Sequence, residues 1–216
     1  MTTYCLLHGA GSDSWYWHLV VPELQARGHE AIAVDLPSDD DASGLDDYAE
    51  VILQALGSQT EPILVAQSLA GFIAPLVCVR RPVALLVLVN AMVPRPGETA
   101  REWWSNTGHD FPEPFDPVEV FLHDVPEEVA AESARHVRRQ ADKVFEQPWP
   151  LDAWPPVPTR AIASQDDRLF PIDFQRRVIR DRLGIDPDEM PGGHLPALSR
   201  PLDLANRLEA YRGSLI

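Results

Sequence analysis

The chain has 216 residues, 45% hydrophobic and 24% charged, which suits one domain with a sizeable core and excludes an extended disordered chain. Its formal net charge of −15 would repel nucleic acid and anionic membrane surfaces, so neither is expected as a partner. No basic N-terminal region with a long apolar run is present, and Cys5 and Cys78 sit in apolar runs as small buried hydrophobes; a cytoplasmic protein without a disulfide is expected.

Tyr4 to Leu7 is a short apolar strand ended by the glycine-rich loop His8-Gly9-Ala10-Gly11-Ser12. Ser14 is expected to cap a helix running to about Arg27, with Trp17, Val20, Val21 and Leu24 on one face and Gly28 as its stop. Ala31 to Val34 is a second strand, closed by Asp35-Leu36-Pro37, where Asp35 is read as a partner for loop amides. The triplet Asp39-Asp40-Asp41 has no His or Glu spacing beside it and reads as solvated charge rather than a metal site. A helix is expected from Asp46 to Gly57.

The run from Pro62 to Gln67 then stops at Ser68, with the small residues Ala66 and Ala70 two positions to either side and Gly71 next. It reads as strand, sharp turn and helix, a relaxed form of the G-x-S-x-G turn that lifts a serine hydroxyl off a sheet edge. The following helix is expected to reach about Arg80 and to be bent by Pro75. Val83 to Val89 is a fully apolar strand bounded by Pro82 and Asn90.

From about 93 to 156 the parallel-sheet rhythm disappears, and prolines punctuate an aromatic-rich segment containing Trp103, Trp104, Phe111, Phe115, Phe121 and Trp149. Its one long helical stretch is Glu127 to Val144. Such an insertion is placed to fold over the strand ends as a lid, on a core made of 1–92 and 157–216. Thr159 to Ala163 resumes the strands, Ile172 to Leu183 is a helix stopped by Gly184, and Ile185 to Met190 is a weaker strand before Gly192-Gly193-His194. Pro201 to Tyr211 is the last helix.

Alternating strands and helices of this kind indicate a parallel sheet, whose ligands bind beyond the carboxyl ends of the strands. Ser68, Asp167 and His194 all fall at such ends. A serine hydroxyl needs a base, and a histidine base needs a carboxylate to fix its tautomer and stabilise the imidazolium. All three roles have a candidate, with Asp166 an alternative to Asp167. The amide of Leu69 and one from the His8–Gly11 loop are placed to receive an oxyanion. His8 is read as orienting its loop, and His109, His123 and His136 as surface or packing histidines.

The segments His8 to Trp17, Val20 to His29 and Val34 to Pro37, the serine turn, Asp167 to Pro171 and Gly192 to His194 together resemble the α/β-hydrolases related to plant methyl-ester esterases and hydroxynitrile lyases. The resemblance implies an α/β-hydrolase fold with a six-stranded parallel sheet flanked by helices and a small helical lid. It implies Ser68 as nucleophile, His194 as base, Asp167 as acid, and Ala10 and Leu69 as oxyanion amides. Lyases of this family carry threonine after the first-loop histidine and lysine after the catalytic histidine; here Gly9 and Leu195 stand there, which favours ester hydrolysis. The expected activity is that of a serine esterase or thioesterase on a small, largely apolar ester. Gly9, Gly11, Gln67, Trp103 and Phe121 are the expected substrate contacts. No cofactor or metal is expected, a homodimer is left open, and a non-hydrolytic binder or a carbonyl lyase or cyclase on the same fold is the alternative.

Overall fold

A computed structural model describes residues 1–215. Six short strands, β1 (Thr3–Leu7), β2 (Glu30–Val34), β3 (Ile63–Gln67), β4 (Leu85–Val89), β5 (Thr159–Ser164) and β6 (Asp188–Met190), form one sheet in the order β2-β1-β3-β4-β5-β6. Every neighbouring pair is parallel, with β1 in register with both β2 and β3. β1, β3 and β4 are buried along their whole length, as unbroken apolar runs covered on both faces must be.

Side chains alternate between two cores because successive strand residues point to opposite faces. Tyr4, Leu6, Val65 and Val87 pack with Val20 and Leu24 of α1 (Val20–Ala26) and with Leu204 and Leu208 of the C-terminal helix. Cys5, Leu7, Leu64 and Leu86 pack on the other side with Ile52 and Leu56 of α2 (Leu45–Leu56), with Leu76 of α3 (Ala74–Cys78), and with Val178 and Ile179 further along the chain. Burial pushes the Cys5 and Cys78 thiols up to about 12, so both stay protonated and inert.

Several local expectations change. Asp13, not Ser14, caps the first helical segment by accepting from the Trp15 amide at 3.0 Å. That segment is a 3-10 turn, Ser14–Trp17, separate from α1. The chain after Ser68 likewise begins as a 3-10 turn, Ser68–Phe72, and only then becomes α3. Pro75 therefore lies in the first turn of a helix, where its missing N–H has no partner to lose, and it bends nothing.

Between β4 and β5 the chain forms α4 (Ala100–Asn106), a single π-helical turn (Val118–Leu122), α5 (Glu127–Ser133) and α6 (Lys143–Glu146). The continuous helix expected over Glu127 to Val144 is broken at Val137, which is extended. Tertiary hydrogen bonds outweigh helix propensity there: the Arg138 amide donates to Gly11 O at 3.0 Å and the Ala141 amide to Ser38 O at 2.7 Å. After β5 come α7 (Ile172–Leu183), ended by Gly184 in the left-handed conformation, the short α8 (Pro196–Ser199) and α9 (Pro201–Gly213). No helix among the described residues is long and apolar enough to cross a membrane.

Candidate active site

The winding direction reverses between β1 and β3, and the loops leaving those two strands meet at the carboxyl edge of the sheet. Gln67 ends β3 in extended conformation and Ser68 follows at φ 52°, a left-handed backbone that costs a non-glycine residue about 1–2 kcal/mol. The turn is held because Ser68 O accepts from the Met92 amide at 3.0 Å. Ala66 and Ala70 are fully buried, and the closest backbone approach falls at Gly71, where a Cβ would overlap the Met92 carbonyl oxygen.

Ser68 Oγ lies 3.2 Å from His194 Nε2, and His194 Nδ1 lies 2.8 Å from Asp167 Oδ2. His194 is 2% exposed and Asp167 4%, so the pair is shielded from solvent. Asp167 Oδ1 accepts from the amides of Leu169 and Phe170, both at 2.8 Å, and Oδ2 also accepts from Gln175 Nε2 at 3.3 Å. Its second oxygen is thereby left facing the imidazole. Asp166 turns away and accepts from the Gly192 amide at 3.2 Å, which ties the β5 loop to the loop carrying His194.

Two side chains at strand ends hold that second loop. Asn90, fully buried at φ 45°, accepts from the Ser164 amide at 2.8 Å and donates to Ser164 Oγ, Gly193 O and His194 O at 3.0, 3.1 and 3.2 Å. Gln67 Nε2 also donates to His194 O, at 3.2 Å. The role of Asn90 was open to one sequence signal only, a polar residue closing an otherwise apolar strand.

Ala10 and Leu69 flank Ser68 in the wall of a cavity of about 460 Å³. Among the described residues neither amide donates to a protein acceptor, so both N–H groups are without a protein partner. The wall is mostly aromatic and aliphatic, including Trp15, Trp104, Phe111, Phe115, Phe121 and Phe170, and contains no carboxylate, lysine or arginine. Gly11, Gln67 and Phe121, expected to contact substrate, are among the residues that line it. Trp103 does not: it is 1% exposed, donates from Nε1 to Val93 O at 3.0 Å and packs on Phe170 and Phe174, while its neighbour Trp104 faces the cavity. Gly9 is not in the wall either; it lies beneath Gln67 and Ser68, where a Cβ would come within 2.9 Å of Ser68 Cβ.

Three further histidines differ in environment. His109 donates from Nε2 to Leu169 O at 2.7 Å and stacks on Phe174. His136 lines the cavity, stacks on Trp15 at 4.4 Å and contacts Asp13 at 3.1 Å, with Arg138 Nη2 on the same carboxylate oxygen at 2.8 Å. Asp35 accepts from the Ser14 amide at 2.7 Å. His8 is 1% exposed; the Leu36 amide donates to its Nε2 at 3.1 Å, so the ring proton sits on Nδ1 and goes to Gly9 O at 2.8 Å.

Burial pushes the His8 imidazole below its ordinary value, with the Gly9 carbonyl and the Asp35 and Asp13 carboxylates opposing only in part. Between that lowered value and the unfolded value near 6.5 the unfolded chain holds a proton that the folded one does not, so stability falls as pH drops through this window. His8→Gln, which keeps an acceptor for Leu36, should flatten the dependence by up to about 1.4 kcal/mol per pH unit. Urea unfolding at pH 5, 6, 7 and 8 measures it; an unchanged slope contradicts the assignment of a neutral buried His8.

The profile of the alpha/beta hydrolase family matches residues 6–207. Methylesterase 3 of Arabidopsis thaliana is 27% identical over 92% of this chain and 91% of its own length, and a pyrethroid hydrolase of Sphingobium wenxiniae is 26% identical over 98% and 88%. Among solved structures, a pyrethroid hydrolase from Sphingobium faniae superposes with a TM-score of 0.82 at 24% identity, covering 97% of this chain and 96% of that one. Polyneuridine aldehyde esterase gives 0.83 at 17% identity, with 98% and 99% covered. With the six-stranded parallel sheet and the serine turn at the end of β3, the match over nearly the full length makes this chain a member of the alpha/beta hydrolase family.

Proposed function

We propose that Ser68 is the nucleophile of a carboxylic-ester hydrolase, with His194 as its base and Asp167 as the acid that orients and stabilises the imidazolium. The observation that carries the reading is the continuous chain from Ser68 Oγ to His194 to Asp167, buried beneath an apolar cavity. Methylesterase and pyrethroid hydrolase relatives support the same chemistry. As Ser68 Oγ bonds to the ester carbonyl carbon, its proton passes to His194 Nε2, and the oxyanion is received by the Leu69 and Ala10 amides. His194 then hands the proton to the leaving alcohol as the C–O bond breaks, and water, activated by the same imidazole, releases the acid from Ser68.

The substrate is a small, uncharged, largely apolar ester, because the wall is mostly apolar and offers a charged group no lysine, arginine or carboxylate. The segment 93–156 serves as the lid: it contributes Trp104, Phe111, Phe115 and Phe121 to the wall and excludes water from the serine. A fluorophosphonate probe should label Ser68, with peptide mapping to locate it, and nitrophenyl esters of short acyl chains should be hydrolysed. Absence of both labelling and turnover overturns the reading.

A further inference from the structure

We infer that Asp124 is a positioning residue for His194, through which the insertion holds the base in place. The inference rests on His194 being the base. Asp124 Oδ2 accepts from the Gly193 amide at 2.7 Å, and this is the carboxylate's one hydrogen bond among the described residues, since its buried Oδ1 has no partner. A partly buried carboxylate whose one protein partner is a backbone N–H makes a charge-assisted bond that fixes that peptide. The peptide is the one directly before the histidine.

Three further observations converge on the same loop. Gly193 O is taken by Asn90 Nδ2 at 3.1 Å, so the residue is held at its amide by the insertion and at its carbonyl by the end of β4. A Cβ on Gly193 would lie 2.6 Å from Asp124 Oδ1 and 2.8 Å from His123 Cε1, so the insertion closes onto bare backbone. Gly192, at φ 117°, and Gly193 together make a loop with little stiffness of its own.

The segment bearing Asp124 also touches the other two parts of the site. In the π-helical turn before it, Glu119 is bound by Arg168 Nη1 at its carbonyl (3.0 Å) and its carboxylate (2.7 Å), next to Asp167. Phe121, in the same turn, has its ring 5.5 Å from that of His194 and lines the cavity. One short stretch therefore braces the acid loop, the imidazole face and the backbone of the base.

Removing the anchor lets His194 drift from Ser68, and a misplacement of about 1 Å costs on the order of 10²-fold in rate. Asp124→Ala is expected to lower kcat by roughly 10–100-fold with KM changed less than about threefold. Asp124→Asn, which keeps an oxygen for the Gly193 amide, should recover kcat to within about threefold of the parent. Ester turnover and the rate of fluorophosphonate labelling at Ser68 are measured on the same full-length preparations, with thermal melts to confirm folding. An unlabelled, inactive parent protein overturns the assignment of the base and with it this inference. An active parent with an equally active Asp124→Ala variant overturns the inference alone, and so does an Asn variant as impaired as the Ala variant. If Asp124→Ala does not fold, Gly193→Ala decides: its Cβ displaces the same carboxylate, and an unchanged kcat overturns the inference.

Discussion

Ser68→Ala removes ester hydrolysis and probe labelling, with a loss of about 10⁶-fold in kcat if the triad acts as one unit, because the imidazole and the oxyanion amides have no oxygen nucleophile left to serve. The fold should survive. Ser68 is at φ 52°, and alanine has the same steric difficulty there as serine, so little strain is gained or lost. Ser68→Gly is the sharper companion: equally inactive, it relieves the left-handed backbone and should be at least as stable as the alanine variant despite the extra unfolded-state entropy. Initial rates on nitrophenyl esters and urea midpoints read the two effects separately. Residual activity above about 1% in either variant would be incompatible with Ser68 as nucleophile.

Gly71→Ala tests the packing that sustains this turn. The added methyl meets the Met92 carbonyl oxygen and approaches Met92 C at 3.1 Å and Ala91 Cβ at 3.2 Å, two of them backbone atoms of the segment that follows β4. Backbone cannot rotate aside as a flexible side chain does. Met92 is also the residue whose amide holds Ser68 O, so the methyl pushes apart the two ends of a hydrogen bond that fixes the serine. An expected cost of about 3 kcal/mol corresponds to a fall in Tm of roughly 6–12 °C for a chain of this size, with labelling of Ser68 slowed even well below the new Tm. A Tm within about 2 °C of the parent would mean that the approach is looser than described.

The parallel sheet is legible from β1, β3 and β4, which are largely apolar and run into glycine, serine or asparagine, whereas of the strand expected over Ile185 to Met190 only the polar Asp188–Met190 pairs; α7 is legible to the residue because Pro171 and Gly184 bracket it. The order Ser68, Asp167, His194 can be read from the chain, and their meeting follows once all three stand at carboxyl ends of parallel strands. The insertion resists such reading. Nothing in its local pattern says that Trp104 rather than Trp103 faces the cavity, or that Arg138 and Ala141 exchange helix for bonds to loops more than a hundred residues away. Asp124 carries no signal of its own, since its significance lies in a glycine amide 69 residues further along.

The bonds that break the long helix also fasten one side of the insertion to the first loops. Gly11 and Arg138 are joined through backbone, the Gly11 amide donates to Gln140 Oε1, Ser38 holds Ala141, Asp13 holds His136 and Arg138, and the Leu45 amide donates to Gln147. At about 1 kcal/mol net for each of these six bonds, lifting residues 136–147 away from the first loops costs roughly 6 kcal/mol, an open population on the order of one molecule in 10⁴. The opposite rim, where Phe111, Phe115 and Val118 are 44%, 42% and 59% exposed, is tied down on either side by the bond from His109 to Leu169 O and those from Arg168 to Glu119. Phe111 and Phe115 both line the cavity and are exposed, so its apolar wall reaches the surface on that side, where the hydrophobic part of an ester would find contact before its carbonyl meets Ser68.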